Sequence, residues 1–271
     1  PWEGAEMTET RWERLTAPEL RALAERNAVV VVPVASLEQH GPHLPVWTDS
    51  FIGHSVSVRA AELCADLPAV VTPPMWLGLS EHHFPFGGTI SLDYATFAAV
   101  LRCIVKSLLA DGFSRVMLFN SHGGNIDPLA VSARELAHEF GIPVLTTTIT
   151  KVAPAAISAA LTAQKALHHA CEGETSIWMH LDPAQVRIDQ IANSVSPGNF
   201  DAGQQVSSRF WSFSERAPVT GVRGDARAAT PEKGKAIFEA MAEGLAKELR
   251  DTANWSPPDD VWRRGRAQGP R

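Results

Sequence analysis

A run of ionisable side chains, SLEQHGPHLPVWTD at residues 36–49, follows directly on the apolar segment AVVVVPVA. It places Glu38, His40, His43 and Asp49 in one short, turn-rich stretch. Three more segments carry similar chemistry: LSEHHFPFGGTISL with His82 and His83, NSHGGN with His122 and Asn125, and HHACEGETS with His169 and Glu174. Imidazole nitrogen and carboxylate oxygen are ligands of Zn²⁺, Mn²⁺ and Fe²⁺, and a hydrolytic site keeps one position open for water. Glu38, His40, Asp49, His122 and Glu174 together offer three carboxylates and two imidazoles. That is more than one tetrahedral ion with an open position uses, and it suits two ions bridged by a carboxylate and a water. Each segment alone has a plainer explanation: a solvated loop, a glycine turn, surface histidines, or acidic residues that complement a helix N-terminus. Their coincidence carries the metal reading.

The elements that must position these residues alternate. PELRALAERNA reads as a short amphipathic helix, and VVVVPVA as a strand buried on both faces because it is apolar throughout. SFIGHSVSVRAAELCADL has helical spacing, and PAVVTPPMW is a strand cut short by prolines. DYATFAAVLRCIVKSLLADG is a helix with Phe97, Leu101, Ile104 and Leu108 on one face and Asp93 as its cap. RVMLFN is a strand, DPLAVSARELAHEFG a helix capped by Asp127, IPVLTTTI a strand, and CEGETSIWMHL the start of a helix. A Gly-rich loop and a final helix of strong helix formers complete the chain to about residue 250. This alternation predicts an α/β fold, a mostly parallel central sheet with helices on both faces. In such a sheet, sites gather at the carboxyl ends of the strands, where the four segments fall. Without a composition break, residues 1–271 read as a single domain with its core at about 16–250. The tail, 251–271, includes SPPDDVWRRGRAQGP and is expected to be an arm on a neighbouring subunit or a frayed end.

Composition narrows the partners. Lys and Arg number 24 against 30 Asp and Glu, a net charge of −6, which argues against nucleic acid binding. No apolar stretch approaches the ~20 residues that span a bilayer, so no membrane partner is expected. PWEGAEMTETRWERL lacks the layout of a signal peptide, and Cys64, Cys103 and Cys171 are odd in number and scattered. Both features point to reduced thiols and a cytoplasmic setting. Trp47, Trp76 and Trp178 lie near the motifs and are expected to pack in the core.

These residues resemble the creatininase (creatinine amidohydrolase) family, from about Val29 to about Leu249. SLEQHGPHLPVWTD looks like its opening Glu-x-His signature with Gly-Pro-His-Leu-Pro and a later Asp. NSHGGN is similar to its Asn-Gly-His-Gly-Gly-Asn turn, and HHACEGETS to its His-Ala-Gly-x-x-Glu-Thr-Ser segment. GVRGDARAATPEKG is similar to its C-terminal Gly-Asp-x-x-x-Ala-Thr-x-x-x-Gly stretch. The resemblance implies a creatininase-like α/β domain with a binuclear metal centre, assembled as a homo-oligomer, usually a hexamer. By matched position it implies Glu38 and His122 on one ion, His40 on the other, and Asp49 bridging both. It matches His169 to a proton-transfer histidine and Glu174 to the glutamate of Glu-Thr-Ser. Gly123 and Gly124 stand where creatininase proper has Tyr and a metal-binding Glu, so Glu174 either replaces that ligand or the second site is weaker. The loss of the aromatic residue removes part of the surface that would sandwich creatinine. The chain is therefore placed with the family's broader branches, which include pyrimidine-intermediate deformylases and the peptide-processing enzyme of mycofactocin maturation.

The expected activity is metal-dependent hydrolysis of a non-peptide C–N bond, in a lactam, cyclic amide or formamide. Two divalent ions (Zn²⁺, Mn²⁺ or Fe²⁺) would activate water, His169 and Glu174 would be catalytic, and His82, His83 and Asn125 would contact the substrate. One alternative is a peptide-processing metallohydrolase of the mycofactocin type. Another is a non-catalytic phosphate- or nucleotide-binding protein, although SHGGN lacks the glycine spacing of such sites.

Overall fold

Residues 29–34, VVVVPV, form strand β1 (Val29–Val34), which is buried along its whole length. The computed structural model describes residues 9–196 and 210–256. An all-apolar strand needs cover on both faces, and alternate side chains of β1 enter opposite cores. Val29 and Val31 pack in one core with Ile52, Val56, Ile177, Ile237 and Met241. Val30, Val32 and Val34 pack in the other with Phe97, Leu101, Val105 and Leu129.

Among the described residues three more strands join the sheet: β2 (Ala69–Val71), β3 (Arg115–Asn120) and β4 (Val144–Thr148). Their order is β2-β1-β3-β4, and every pairing is parallel. The helices are α1 (Ala17–Glu25), α2 (Thr48–Leu63), α3 (Tyr94–Ala110), α4 (Ile126–Phe140), α5 (Ile149–Val152), α6 (Pro154–Ala160), α7 (Glu172–Leu181), α8 (Pro231–Arg250) and α9 (Thr252–Trp255). Residues of α2, α7 and α8 build the first core, and residues of α1, α3 and α4 the second. This is the α/β architecture that the alternation predicts.

Several local expectations shift. β2 is only three residues long, because Pro73 and Pro74 have no N–H to extend the ladder. In α3, Asp93 caps the start by accepting from the Thr96 amide at 2.7 Å, as expected, but Val105 rather than Ile104 completes the buried face. Helix α4 begins at Ile126, directly after a 3₁₀ turn at Gly123–Asn125, so Asp127 lies in its first turn and does not cap it. Trp178 is buried and stacks on Phe51 with ring centroids 3.9 Å apart. Trp47 and Trp76, expected in the core, are instead 38% and 39% exposed. Of the tail expected from residue 251, Thr252–Trp255 form α9 and bury Trp255, and its reading as an arm or frayed end otherwise falls on residues 257–271, outside the described residues. Among the described residues no helix is long and apolar enough to cross a membrane.

The contact between α7 and α8 bears directly on the site, because α7 carries Glu174. A β-carbon at Gly234 would fall 1.8 Å from the Ser176 carbonyl oxygen, so at this point the helices approach too closely for α8 to carry a side chain. The Ser176 hydroxyl accepts from the Thr230 amide at 3.1 Å, which fixes the start of α8 to the same point. Gly234→Ala should therefore destabilise by about 1–3 kcal/mol through overpacking, although alanine is the better helix former. Equilibrium denaturation in urea measures it, and a neutral or stabilising effect would show that the contact tolerates a methyl group.

Candidate metal centre

The carboxyl ends of the parallel strands bring the chemistry together. Glu38 lies in the loop after β1, Ser80 and His83 in the segment after β2, and His122 directly after β3. His169 and Glu174 enter from the start of α7, and Asp49 from the start of α2. The turn at His122 is pinned by Asn120, whose Oδ1 accepts from the His122 amide at 3.1 Å and whose Nδ2 donates to its carbonyl at 2.8 Å.

Glu38 is 1% exposed and stands at the centre. Its Oε2 accepts from the Ser80 hydroxyl at 2.6 Å and the Ser36 hydroxyl at 3.2 Å, and lies 3.1 Å from His122 Nδ1. Its Oε1 lies 3.3 Å from both His83 Nε2 and His169 Nδ1. Asp49 presents Oδ1 to His40 Nε2 at 3.3 Å and Oδ2 to His122 Nδ1 at 3.2 Å. Glu174 Oε2 lies 3.8 Å from His40 Nε2 and accepts from the Ala170 amide at 2.5 Å. Glu38 belongs to three sets of side chains whose ligand atoms all lie within 4.8 Å of one another: with His40 and Asp49, with His82 and His122, and with His83 and His169.

The outer nitrogens of His40 and His122 decide what the inner ones can do. His40 Nδ1 donates to the Glu38 carbonyl at 3.1 Å, and His122 Nε2 to the Leu79 carbonyl at 3.0 Å. In the neutral rings this leaves His40 Nε2 and His122 Nδ1 bare and aimed at carboxylates. Lone pairs facing carboxylates repel unless a cation or proton lies between them. His40 Nε2 and Asp49 Oδ2 are buried without a hydrogen-bond partner. Such orphaned atoms, with imidazoles oriented by carbonyls behind them, fit a metal site.

The electrostatics agree. Burial alone would depress His40, but the Asp49 and Glu174 carboxylates overcome it and raise the ring to about 9. Burial likewise opposes the charged form of His122, yet Glu38 and Asp49 hold it well above the ordinary range. Burial would raise Glu38, but His122 and its other imidazole neighbours hold it well below the carboxylate range. Burial pushes Glu174 up to about 7, against the pull of His40. Protons are held tightly where a divalent cation would compensate the same charge.

Of the residues singled out in the sequence, Glu38, His40, Asp49, His122, Glu174 and His169 converge on one point, and His83 joins them. His83 is not at the surface: it is 1% exposed and faces Glu38 rather than open solvent. His82 lines the adjoining cavity and packs on His83 with ring centroids 4.4 Å apart. Asn125 does not line that cavity, contrary to its expected contact with substrate. It is fully buried, its Oδ1 accepts from the Leu79 amide, and its Nδ2 donates to the Ala35 carbonyl, each at 3.0 Å. Its amide joins two loops. Gly124 is equally constrained, since a β-carbon there would lie 2.4 Å from His122 Nε2 and from the Leu79 oxygen. A side chain at 124 and the present His122–Leu79 hydrogen bond exclude each other.

Sequence reasoning passed over Gln39, Ser36, Ser80 and Phe213. Gln39 and Ser80 flank the charged residues of their motifs, but neutral polar residues carry no signal of their own. Phe213, packed on His83 and His169 with centroids 4.2 and 5.2 Å away, sits in a stretch without any pattern. The cavity that opens from the cluster measures about 900 Å³, within the range of small-molecule sites, and Arg216 and Arg223 are among its lining residues.

Comparison with known proteins places this geometry. The sequence profile of the creatininase family, described as creatinine amidohydrolase, matches residues 13–249. The mycofactocin precursor peptide peptidase of Mycolicibacterium smegmatis is 32% identical over 241 residues, covering 88% of this chain and 89% of its own length. Creatinine amidohydrolase of Pseudomonas putida is 29% identical over 247 residues, covering 84% and 91%. A solved variant creatininase of Zn-Zn type superposes with a TM-score of 0.75 at 26% identity, over 92% of this chain and 99% of that one.

A group whose pKa is raised by folding stabilises the protein only while it keeps its proton. For His40, raised from 6.5 to about 9, that stability is full below pH 6.5 and lost as pH rises through 9, and His122 acts in the same direction. Glu174, raised from 4.5 to about 7, loses its share earlier on the same rise. Chelator-treated protein should therefore show a falling Tm between pH 6.5 and 9, and added zinc should raise the Tm more at pH 9 than at pH 6.5. A Tm of the metal-free protein that is flat or rises over this window would count against the exchange of protons for metal.

Proposed function

The chain belongs to the creatininase family of metallohydrolases, and from that premise we propose that it hydrolyses a C–N amide bond of a small molecule with two divalent cations, zinc, manganese or iron(II). The observation that carries this reading is the pair of bare imidazole nitrogens, His40 Nε2 and His122 Nδ1, each facing its own oxygen of Asp49 at 3.3 and 3.2 Å. Glu38 and His122 would hold one ion, His40 and Glu174 the other, and Asp49 both. Such ions lower the pKa of a coordinated water and polarise a carbonyl oxygen, which is the chemistry amide hydrolysis needs.

The chain's own groups do the rest. Glu38 stays ionised because imidazoles and hydroxyls surround it. His169 lines the cavity with Nδ1 turned inward, and burial together with nearby His40 lowers its pKa, so the neutral ring would take a proton from the attacking water and pass it to the departing amine. His82, His83 and Phe213 wall the approach. At Gly123 a β-carbon would meet nothing within 4 Å, so the position of creatininase's aromatic residue is open space and creatinine itself is a poor fit.

Peptide processing is the second reading, favoured by the 32% identity to a mycofactocin precursor peptide peptidase. A phosphate or nucleotide site is disfavoured, because SHGGN lacks the glycine spacing of such sites. The family likeness also supports a cytoplasmic homo-oligomer, a hexamer.

Elemental analysis followed by a screen over lactams, cyclic ureas, formamides and short peptides tests the proposal. The expected result is close to two ions per chain with metal-dependent turnover on one class. No bound metal and no metal-dependent activity on any amide would sink it. Asp49→Ala should lower occupancy at both positions, whereas His40→Ala should mainly empty one. His169→Ala should keep its metal while turnover falls by roughly 10²–10⁴-fold, the scale of a lost general acid. Glu174→Ala should lose metal, and the opposite pattern in these two variants would exchange their roles.

A further inference from the structure

The set Glu38, His83 and His169 meets the same distance test for a metal as the other two sets. What lies behind its imidazoles is different. Behind His40 and His122 are backbone carbonyls, which accept. Behind His83 and His169 is one side-chain nitrogen, Gln39 Nε2, at 2.8 Å from His83 Nδ1 and 3.0 Å from His169 Nε2. An amide NH₂ offers no lone pair to a ring N–H, so both ring nitrogens that face it are bare and share its two hydrogens with the Gly221 carbonyl. In the neutral ring the proton then sits on the opposite atom, His83 Nε2 and His169 Nδ1. Those are the two atoms that lie 3.3 Å from Glu38 Oε1.

The orientation of the Gln39 amide is set by its other contacts. Oε1 accepts from the Gly41 N–H at 2.9 Å, and Nε2 donates to the Gly221 carbonyl at 3.1 Å. Flipping the amide would place oxygen against the Gly221 oxygen and NH₂ against the Gly41 N–H, a repulsion at each end. Gln39 is 6% exposed, so water does not relieve either.

We infer that Gln39 is a positioning residue: its amide fixes His83 and His169 as hydrogen-bond donors to Glu38 Oε1, so that this set holds protons and excludes a third cation. A metal needs the nitrogen lone pair, and here both inward nitrogens carry hydrogen. Glu38 is thereby divided, with Oε2 on the side of His122 and Oε1 held by two neutral donors. The lock holds the His169 ring in place beside Glu38, and only its catalytic consequence rests on the proposed function.

The test is a long-range ¹H–¹⁵N correlation spectrum of full-length, zinc-loaded protein labelled with ¹⁵N-histidine at pH 8, with signals assigned through His83→Asn and His169→Asn. The expected result is the Nε2–H tautomer for His83 and the Nδ1–H tautomer for His169. In Gln39→Glu, a carboxylate replaces the donor and at least one ring should reverse. If that variant does not fold, Gln39→Leu replaces it, and both rings should become tautomer mixtures. A proton found on either nitrogen facing Gln39, or spectra of the folded variant identical to wild type, would overturn the inference. On any amide that wild type hydrolyses, the same variants should lower kcat by roughly 10–10²-fold with KM nearly unchanged, as a misaligned group does. Absence of wild-type turnover would be a failure of the proposed function, and the spectra would still decide the role of Gln39.

Discussion

A single carboxylate at the end of a fully apolar strand organises this protein. Glu38 is 1% exposed, and burying a carboxylate is costly unless charge and hydrogen bonds replace its water. Here the replacement comes from separate parts of the chain: Ser36 beside it, Ser80 and His83 after β2, His122 after β3, and His169 before α7. Only a central strand allows this. With the order β2-β1-β3-β4, the loop after β1 is flanked on both sides by loops of its neighbours, and parallel pairing puts all of these loops at the same edge. The topology and the buried charge therefore depend on each other.

Within the cluster, residues of one type are given different work by what stands behind them. A carbonyl behind His40 or His122 takes the ring proton outward and leaves a bare nitrogen towards the carboxylates. The Gln39 amide behind His83 and His169 does the reverse. Four imidazoles around two carboxylates thus separate into a pair suited to a cation and a pair suited to donating hydrogen bonds. Distance alone does not distinguish them, since all four lie 3.1–3.3 Å from a carboxylate oxygen.

The scaffold under the cluster is as constrained as the cluster. Asn125 ties the Leu79 and Ala35 backbones together, so the loops after β1 and β2 hold one position relative to the start of α4. Gly124 gives the His122–Leu79 hydrogen bond its space. Glu174 approaches from the other side on α7, and α7 is seated by the close approach of α8 at Gly234.

Much of this was legible in the sequence. The all-apolar VVVVPV segment and the alternation of strand-like with helix-like runs imply a covered parallel sheet, because a strand without a polar face has no other stable surroundings. Glu38, His40, Asp49, His122, His169 and Glu174 stand out because ionisable groups at strand ends are few and their chemistry is distinctive. What the tertiary structure alone decided concerns neutral and apolar groups, whose role is set by a partner remote in the chain. Gln39 meets a carbonyl 182 residues away, and Asn125 one 90 residues away, so neither separation is visible as a local pattern. The exposure of Trp47 and Trp76 and the burial of His83 have the same origin. Residue type limits which contacts a side chain can make, and the fold determines which of them it meets.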